Sequence, residues 1–170
     1  MTEESKNLNT AGNIKVLFVC HGNICRSPMA EFVLKDMVEK RGIAHRFEIA
    51  SAATSMEEII NGIGNPVYPP AGEELLKHGI RCEGKRAVKL RASDYDLYDY
   101  LIGMDSMNIR NMERITQHQK GEKIHKLLDF AGTSADCQDP WYTGNFSKTY
   151  QDVVTGCEAF LDFLKKEGQI

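Results

Sequence analysis

The sequence predicts an α/β fold, a parallel sheet covered by helices on both faces. Three observations lead there. The runs at Ile14–Val19, interrupted only by Lys15, and Tyr100–Met104 are too hydrophobic for strands with one wet face. Between and after them lie segments whose apolar residues recur at helical spacing. The two kinds alternate along the chain, as strand–helix–strand crossovers require. In such sheets ligands bind beyond the carboxyl ends of the strands.

The first strand, Ile14 to Val19, stops at Cys20. A short loop with Gly22 follows, and Ser27-Pro28 supplies an N-cap and a first-turn proline for a helix from Pro28 to about Lys40. Ala30, Val33, Leu34, Met37 and Val38 form its buried stripe, and Gly42 ends it. Phe47–Ala50 reads as a second strand. Ser51 to Pro70 has little periodicity beyond one possible helical turn at Met56–Ile60; a loop this long in a compact domain is usually functional, so it belongs at a site's rim. Ala71–His78 predicts a helix with Leu75 and Leu76 inward and Gly79 as its stop. Ala87–Leu90 is a weak strand signal, and a short helix begins at Ser93-Asp94. Tyr100–Met104 is a buried strand, with Asp105-Ser106 capping a helix through about Ile115. Lys123–Leu128 reads as the last strand, and Tyr150, Val153, Val154, Cys157, Phe160, Leu161 and Leu164 give a long C-terminal helix its apolar face.

At 170 residues the chain can bury a core of its own, and residues 14–170 read as a single domain. Residues 1–13 are polar, lack the apolar stretch of a signal peptide, and read as a flexible leader on a cytoplasmic protein. A net charge of −3 argues against nucleic acid or an anionic membrane as partner. No run approaches the ~20 apolar residues of a membrane span. Five cysteines at irregular spacing fit neither a disulfide framework nor a zinc site, which leaves reduced thiols.

The chemistry gathers at Cys20-His21-Gly22-Asn23-Ile24-Cys25-Arg26-Ser27. Strand end, tight loop and helix start make an anion cradle from free backbone N–H groups and the helix dipole. Arg26 adds a planar fork of donors suited to a tetrahedral oxyanion. A cysteine in that field is expected to be a thiolate. Nucleophile and oxyanion receptor thus share one loop.

Cys20 to Pro28, with Ala30-Glu31 after it, resembles the signature of the low-molecular-weight protein tyrosine phosphatases. The resemblance spans about Lys15 to Leu164. It implies a four-stranded parallel sheet flanked by helices, with the phosphate loop between the first strand and first helix. It also implies hydrolysis of protein phosphotyrosine or a small aryl phosphate through a phosphocysteine on Cys20. His21, Gly22, Asn23, Ile24, Cys25, Arg26 and Ser27 would then hold the phosphate, Asn23 also keeping the loop in shape because asparagine tolerates a left-handed backbone. Ser27 would bond the sulfur, cap the helix, or do both.

A leaving oxygen needs a proton, and a carboxyl must supply it. Asp139-Pro140-Trp141-Tyr142 matches the family's general-acid segment. Asp139 would be the acid, with Trp141 and Tyr142 either the wall for the substrate ring or partly buried loop anchors. Asp105 matches an aspartate that steadies the phosphate loop, and equally reads as an ordinary N-cap. Cys25 is either a small core residue or, as the family implies, a disulfide partner that protects Cys20 from over-oxidation. No metal or cofactor is called for, and a monomer is expected.

Departures from the family's common pattern fall at the rim. Met56-Glu57 lacks an aromatic residue, Lys85 and Val88 stand where relatives often carry histidine and arginine, and Thr143 separates Tyr142 from Gly144. Glu57 and Lys85 are accordingly expected at the mouth. Two enzymatic rivals share the fold. A thioredoxin-linked arsenate reductase needs two further relay cysteines, where this chain offers Cys82 alone. A protein-arginine phosphatase carries threonine in place of Ile24. A non-catalytic phosphoprotein-binding module would have lost the nucleophile or the acid, and neither is lost.

Overall fold

The structure, a computed structural model, describes residues 12–170; the predicted leader lies almost wholly outside the described residues. Four strands, β1 (Ile14–Cys20), β2 (Phe47–Ala53), β5 (Tyr100–Gly103) and β6 (Ile124–Lys126), form one sheet in the order β2-β1-β5-β6. Every pair is parallel. Side chains alternate along β1. Val16 and Phe18 enter a core cluster with helices α1 (Arg26–Lys40) and α6 (Phe146–Lys166). Leu17 and Val19 enter a second cluster with Ile109 and Met112 of α4 (Ser106–Thr116). From Val16 onward both faces of the strand are dry, which is why that stretch shows no polar alternation. The chain leaves β1 for β2 on one side and later adds β5 on the other. The ends of β1 and β5 therefore open a crevice, the place where this architecture binds ligands.

Helix α1 begins at Arg26, two residues before the predicted start, with Cys25 at the N-cap position and no side-chain cap. Ser27 is thus not the cap, because its hydroxyl is engaged by Cys20 and Asn23 instead. Gly42 ends the helix at φ 72°, its N–H reaching the Glu39 carbonyl while that of Ile43 reaches Val38. Helix α2 (Pro69–Leu76) buries Leu75, but Leu76 is 56% exposed and turns outward, contrary to expectation. Adjacent residues on a helix point about 100° apart, so one narrow contact face cannot hold both.

The rim segment differs most from its predicted form. Met56–Ile60 makes no helical turn. β3 (Ile59–Ile60) and β4 (Ile63–Gly64) instead pair antiparallel around Asn61-Gly62, whose φ angles are 53° and 77°. Asn-Gly is the strongest short-range signal for such a two-residue hairpin. A Cβ on Gly64 would fall 1.9 Å from the Ala87 carbonyl oxygen, so only glycine lets the hairpin seat there. Ala87–Leu90 is not a strand either. It makes an isolated bridge in which Ala53 bonds both Val88 and Leu90, covering the outer edge of β2 at its last residue. Short helices α3 (Asp94–Leu97) and α5 (Pro140–Thr143) complete the fold, and the predicted strand at 123–128 keeps only β6 before a 3-10 turn over Leu127–Ala131. Among the described residues no helix is long and apolar enough to cross a membrane.

Candidate active site

Cys20 sits at the carboxyl end of β1, and the loop after it is pulled open from outside. The carbonyls of Cys20, His21 and Ile24 accept the N–H groups of Thr54, Ser55 and Tyr68. Among the described residues, no protein group takes the N–H of Gly22, Asn23, Ile24 or Cys25. With the first turn of α1 beside them, these donors make the kind of nest that binds a phosphoryl group.

Asn23 gives the loop its shape. At φ 59° it takes a left-handed conformation that asparagine tolerates better than most residues. Its buried amide spends every group: Nδ2 donates to Ser27 Oγ at 2.8 Å and Ser51 Oγ at 2.9 Å, and Oδ1 accepts the Val88 N–H at 3.0 Å. Those bonds fix the direction of the next ones. Ser27 Oγ already accepts from Asn23, so its one proton goes to Cys20 Sγ, 3.0 Å away. Ser51 likewise donates onward to Glu31 Oε1 at 2.5 Å. Glu31 is buried and flanked by Lys35 at 2.6 Å and Lys85 at 3.6 Å. Lys85 also donates to the Ser51 carbonyl. It therefore lies beneath the loop, not at the mouth where the sequence reading put it. Burial pulls its ammonium below the ordinary value, and Glu31 opposes that shift.

Arg26 reaches the crevice from the first turn of α1 with its side chain only 3% exposed. Nη1 donates to Asp105 Oδ2 at 2.6 Å and to the Cys137 carbonyl at 2.9 Å, while Nη2 lies 3.5 Å from Asp139 Oδ2. Burial works against its charge, but Cys20, Asp105 and Asp139 outweigh that and raise its pKa. Asp105 caps a helix and bonds Arg26 at once. Oδ1 caps α4 through the Asn108 N–H at 2.7 Å, in a capping box with the Asn108 side chain, and Oδ2 holds Arg26. Asp139 caps α5 through the Trp141 N–H at 3.0 Å.

Cys20, His21, Gly22, Ile24, Cys25, Arg26, Glu57, Glu58, Asp139, Trp141 and Tyr142 line one slot of about 130 Å³. That is smaller than the ~300–1,000 Å³ of pockets for drug-sized ligands, and suits a phosphoryl group with a flat ring above it. Trp141 and Tyr142 are 55% and 85% exposed and border the slot. Trp141 leans on Tyr68, ring centroids 4.9 Å apart. Opposite, Glu57 pairs with His21 at 3.0 Å, and Glu58 is tied to Asn65 and lies over Gly22.

The family model described as low molecular weight phosphotyrosine protein phosphatase matches residues 15–170. The chain belongs to this family. It is 40% identical to the low molecular weight protein-tyrosine-phosphatase YfkJ of Bacillus subtilis, covering 92% of this chain and 99% of that one. The crystal structure of YfkJ superposes with a TM-score of 0.85 at 39% identity, over 92% of this chain and 97% of that one. PtpA of Staphylococcus aureus is 34% identical over 92% of this chain and 97% of its own. The Drosophila arginine phosphatase DARP gives a TM-score of 0.79 at 29% identity, covering 89% and 98% of the two chains.

All five cysteines are free. Burial, and then Cys20 and Asp139, push the Cys25 thiol far above its ordinary value. Burial raises Cys137 to about 12 and raises Cys157 as well. Several contributors escaped the sequence reading. Tyr68 comes from the rim segment, and only its place before Pro69-Pro70, at a helix start, hinted that it was fixed. Ser51 and Glu31 show their part only once β2 lies beside β1. The Cys137 carbonyl carries no side-chain signal at all.

Proposed function

We propose that this phosphatase hydrolyses aryl phosphate monoesters, protein phosphotyrosine foremost, through a phosphocysteine on Cys20. The observation that carries this reading is the meeting of Cys20, Arg26 and Asp139 in one slot with Trp141 and Tyr142 at its mouth. The phosphoryl oxygens lie on the loop N–H groups and Arg26, whose grip is held by Asp105. Cys20 Sγ attacks phosphorus in line, the P–O bond to the aryl group breaks, and Asp139 gives its proton to the departing oxygen. The Asp139 carboxylate then takes a proton from water as that water attacks the phosphocysteine. The P–S bond breaks, inorganic phosphate leaves, and the Ser27 hydroxyl donates to the sulfur that emerges.

Ile24 lines the slot, and an apolar side chain there favours an aromatic ring over a guanidinium. We take residues 14–170 as the catalytic unit, monomeric and cytoplasmic, acting without metal or cofactor on phosphotyrosine proteins and not on nucleic acid or membranes. The test is hydrolysis of p-nitrophenyl phosphate by wild type, Cys20→Ser and Asp139→Ala. The first variant should be inactive, and the second should lose about 10²–10⁴ in rate, the ordinary share of general acid catalysis. Phosphoarginine cleaved faster than phosphotyrosine, or thioredoxin-dependent arsenate reduction, would overturn the reading.

A further inference from the structure

The segment that brings Asp139 to the slot has no regular structure between Ala131 and Pro140, so something other than a strand or helix must set its position. Two anchors hold it. The first is Cys137, fully buried, with its N–H on the Met104 carbonyl at 2.9 Å and its carbonyl on Arg26. The second lies one residue earlier. Asp136 Oδ1 accepts Lys126 Nζ at 2.9 Å, the Ser106 N–H at 3.1 Å and the Ser106 hydroxyl at 3.2 Å. Lys126, at the end of β6 and itself buried, also donates to the Ser134 carbonyl at 2.7 Å. One ammonium therefore grips the segment at two points.

Its anchorage is what gives this contact functional reach. Ser106 follows Asp105, and Asp105 holds Arg26. The turn that fixes the phosphate-binding arginine is thus the turn to which the acid-bearing segment is pinned. Burial alone would raise the Asp136 carboxyl, yet Lys126 and Ser106 hold it below the ordinary value, as a standing ion pair requires. A buried lysine on an edge strand is otherwise unneeded by the sheet, where Ile124 and Leu127 fill the core.

We infer that Lys126 and Asp136 are positioning residues for the proton transfer step: their clamp sets the distance of Asp139 from the leaving oxygen without touching substrate. The inference rests on Asp139 being the general acid. General acid catalysis matters most for a poor leaving group and hardly at all for a strongly acidic phenol, whose anion departs unaided. A misplaced acid therefore has a signature that a merely loosened protein lacks. The readout is kcat/KM, which stops at the first P–O cleavage and is blind to phosphocysteine breakdown.

The experiment compares phenyl phosphate with 2,4-dinitrophenyl phosphate for wild type, Lys126→Met, Asp136→Asn, Lys126→Arg and Asp139→Asn. Lys126→Met and Asp136→Asn should lose about tenfold on phenyl phosphate, within the range for acid catalysis, and less than twofold on the dinitrophenyl ester. Lys126→Arg should recover most of the loss, since it restores the charge. Equal losses on both substrates, or none on either, would overturn the clamp. Asp139→Asn separates the two claims. If it discriminates the substrates and the clamp variants do not, only the inference fails. If it does not discriminate, the general-acid assignment fails and takes the inference with it. Should Lys126→Met fold poorly, the near-isosteric Asp136→Asn carries the same comparison.

Discussion

Cys20 and Cys25 line one slot, and Cys25 is a thiol held far above its ordinary pKa, so it is a poor first target of peroxide. Once Cys20 is a sulfenic acid, a thiol in the same slot can condense with it to a disulfide. Wild type treated with peroxide should regain activity with dithiothreitol. Cys25→Ser should lose it permanently, with a sulfonic acid at Cys20 by mass spectrometry; equal recovery by both proteins would refute the pairing. Asp105 yields a second prediction at this scale. Asp105→Asn keeps an oxygen for the α4 cap but surrenders the charge that holds Arg26. Its kcat/KM should fall at least tenfold while stability changes by about 1 kcal/mol or less. Asp105→Ala should add the lost cap, about 0.5–2 kcal/mol, in denaturant unfolding.

At the scale of elements, the helices and the central strands were legible because their periodicity reports burial directly. Val16–Cys20 and Tyr100–Gly103 are dry on both faces and look so in the sequence. The rim was less legible. Asn61-Gly62 carried a hairpin signal, but β3 and β4 are two residues each and give no alternation to read. Lys85 was misplaced because its direction depends on Glu31, 54 positions away in sequence, and only the pairing of β2 with β1 brings Ser51 between them. Gly156 exposes the same dependence in packing. A Cβ there would lie 2.3 Å from Leu127 Cγ, within the contact of α6 on the turn after β6. Gly156→Ala should destabilise by about 1–2 kcal/mol, overpacking exceeding the gain in helix propensity. A melting temperature at or above wild type would mean that Leu127 moves aside freely.

Across the whole molecule, charge ties the sheet's carboxyl end together, and pH should act through it. Asp136 has a folded pKa below its unfolded value near 3.9. Its contribution is therefore complete above that unfolded value and is lost as pH falls through the lower folded one. The difference in melting temperature between wild type and Asp136→Asn should be constant from pH 5 to 7 and shrink below about pH 4. A difference that grows toward low pH would contradict this sign.

Cys20, Arg26 and Asp139 stood out as residue types at fixed spacings, and the fold supplies what spacing cannot: the crevice beyond β1 and β5 where Arg26 and Asp139 come within 3.5 Å. The claim on which all else depends is that Cys20 takes the phosphoryl group while Asp139 serves the proton. Rapid-quench mass spectrometry of the Asp139→Ala variant during turnover of 2,4-dinitrophenyl phosphate is the decisive check. One phosphoryl group is expected, on Cys20, because this leaving group departs unaided while the water step has lost its base. Turnover with no adduct on Cys20, or an adduct on another residue, would contradict it.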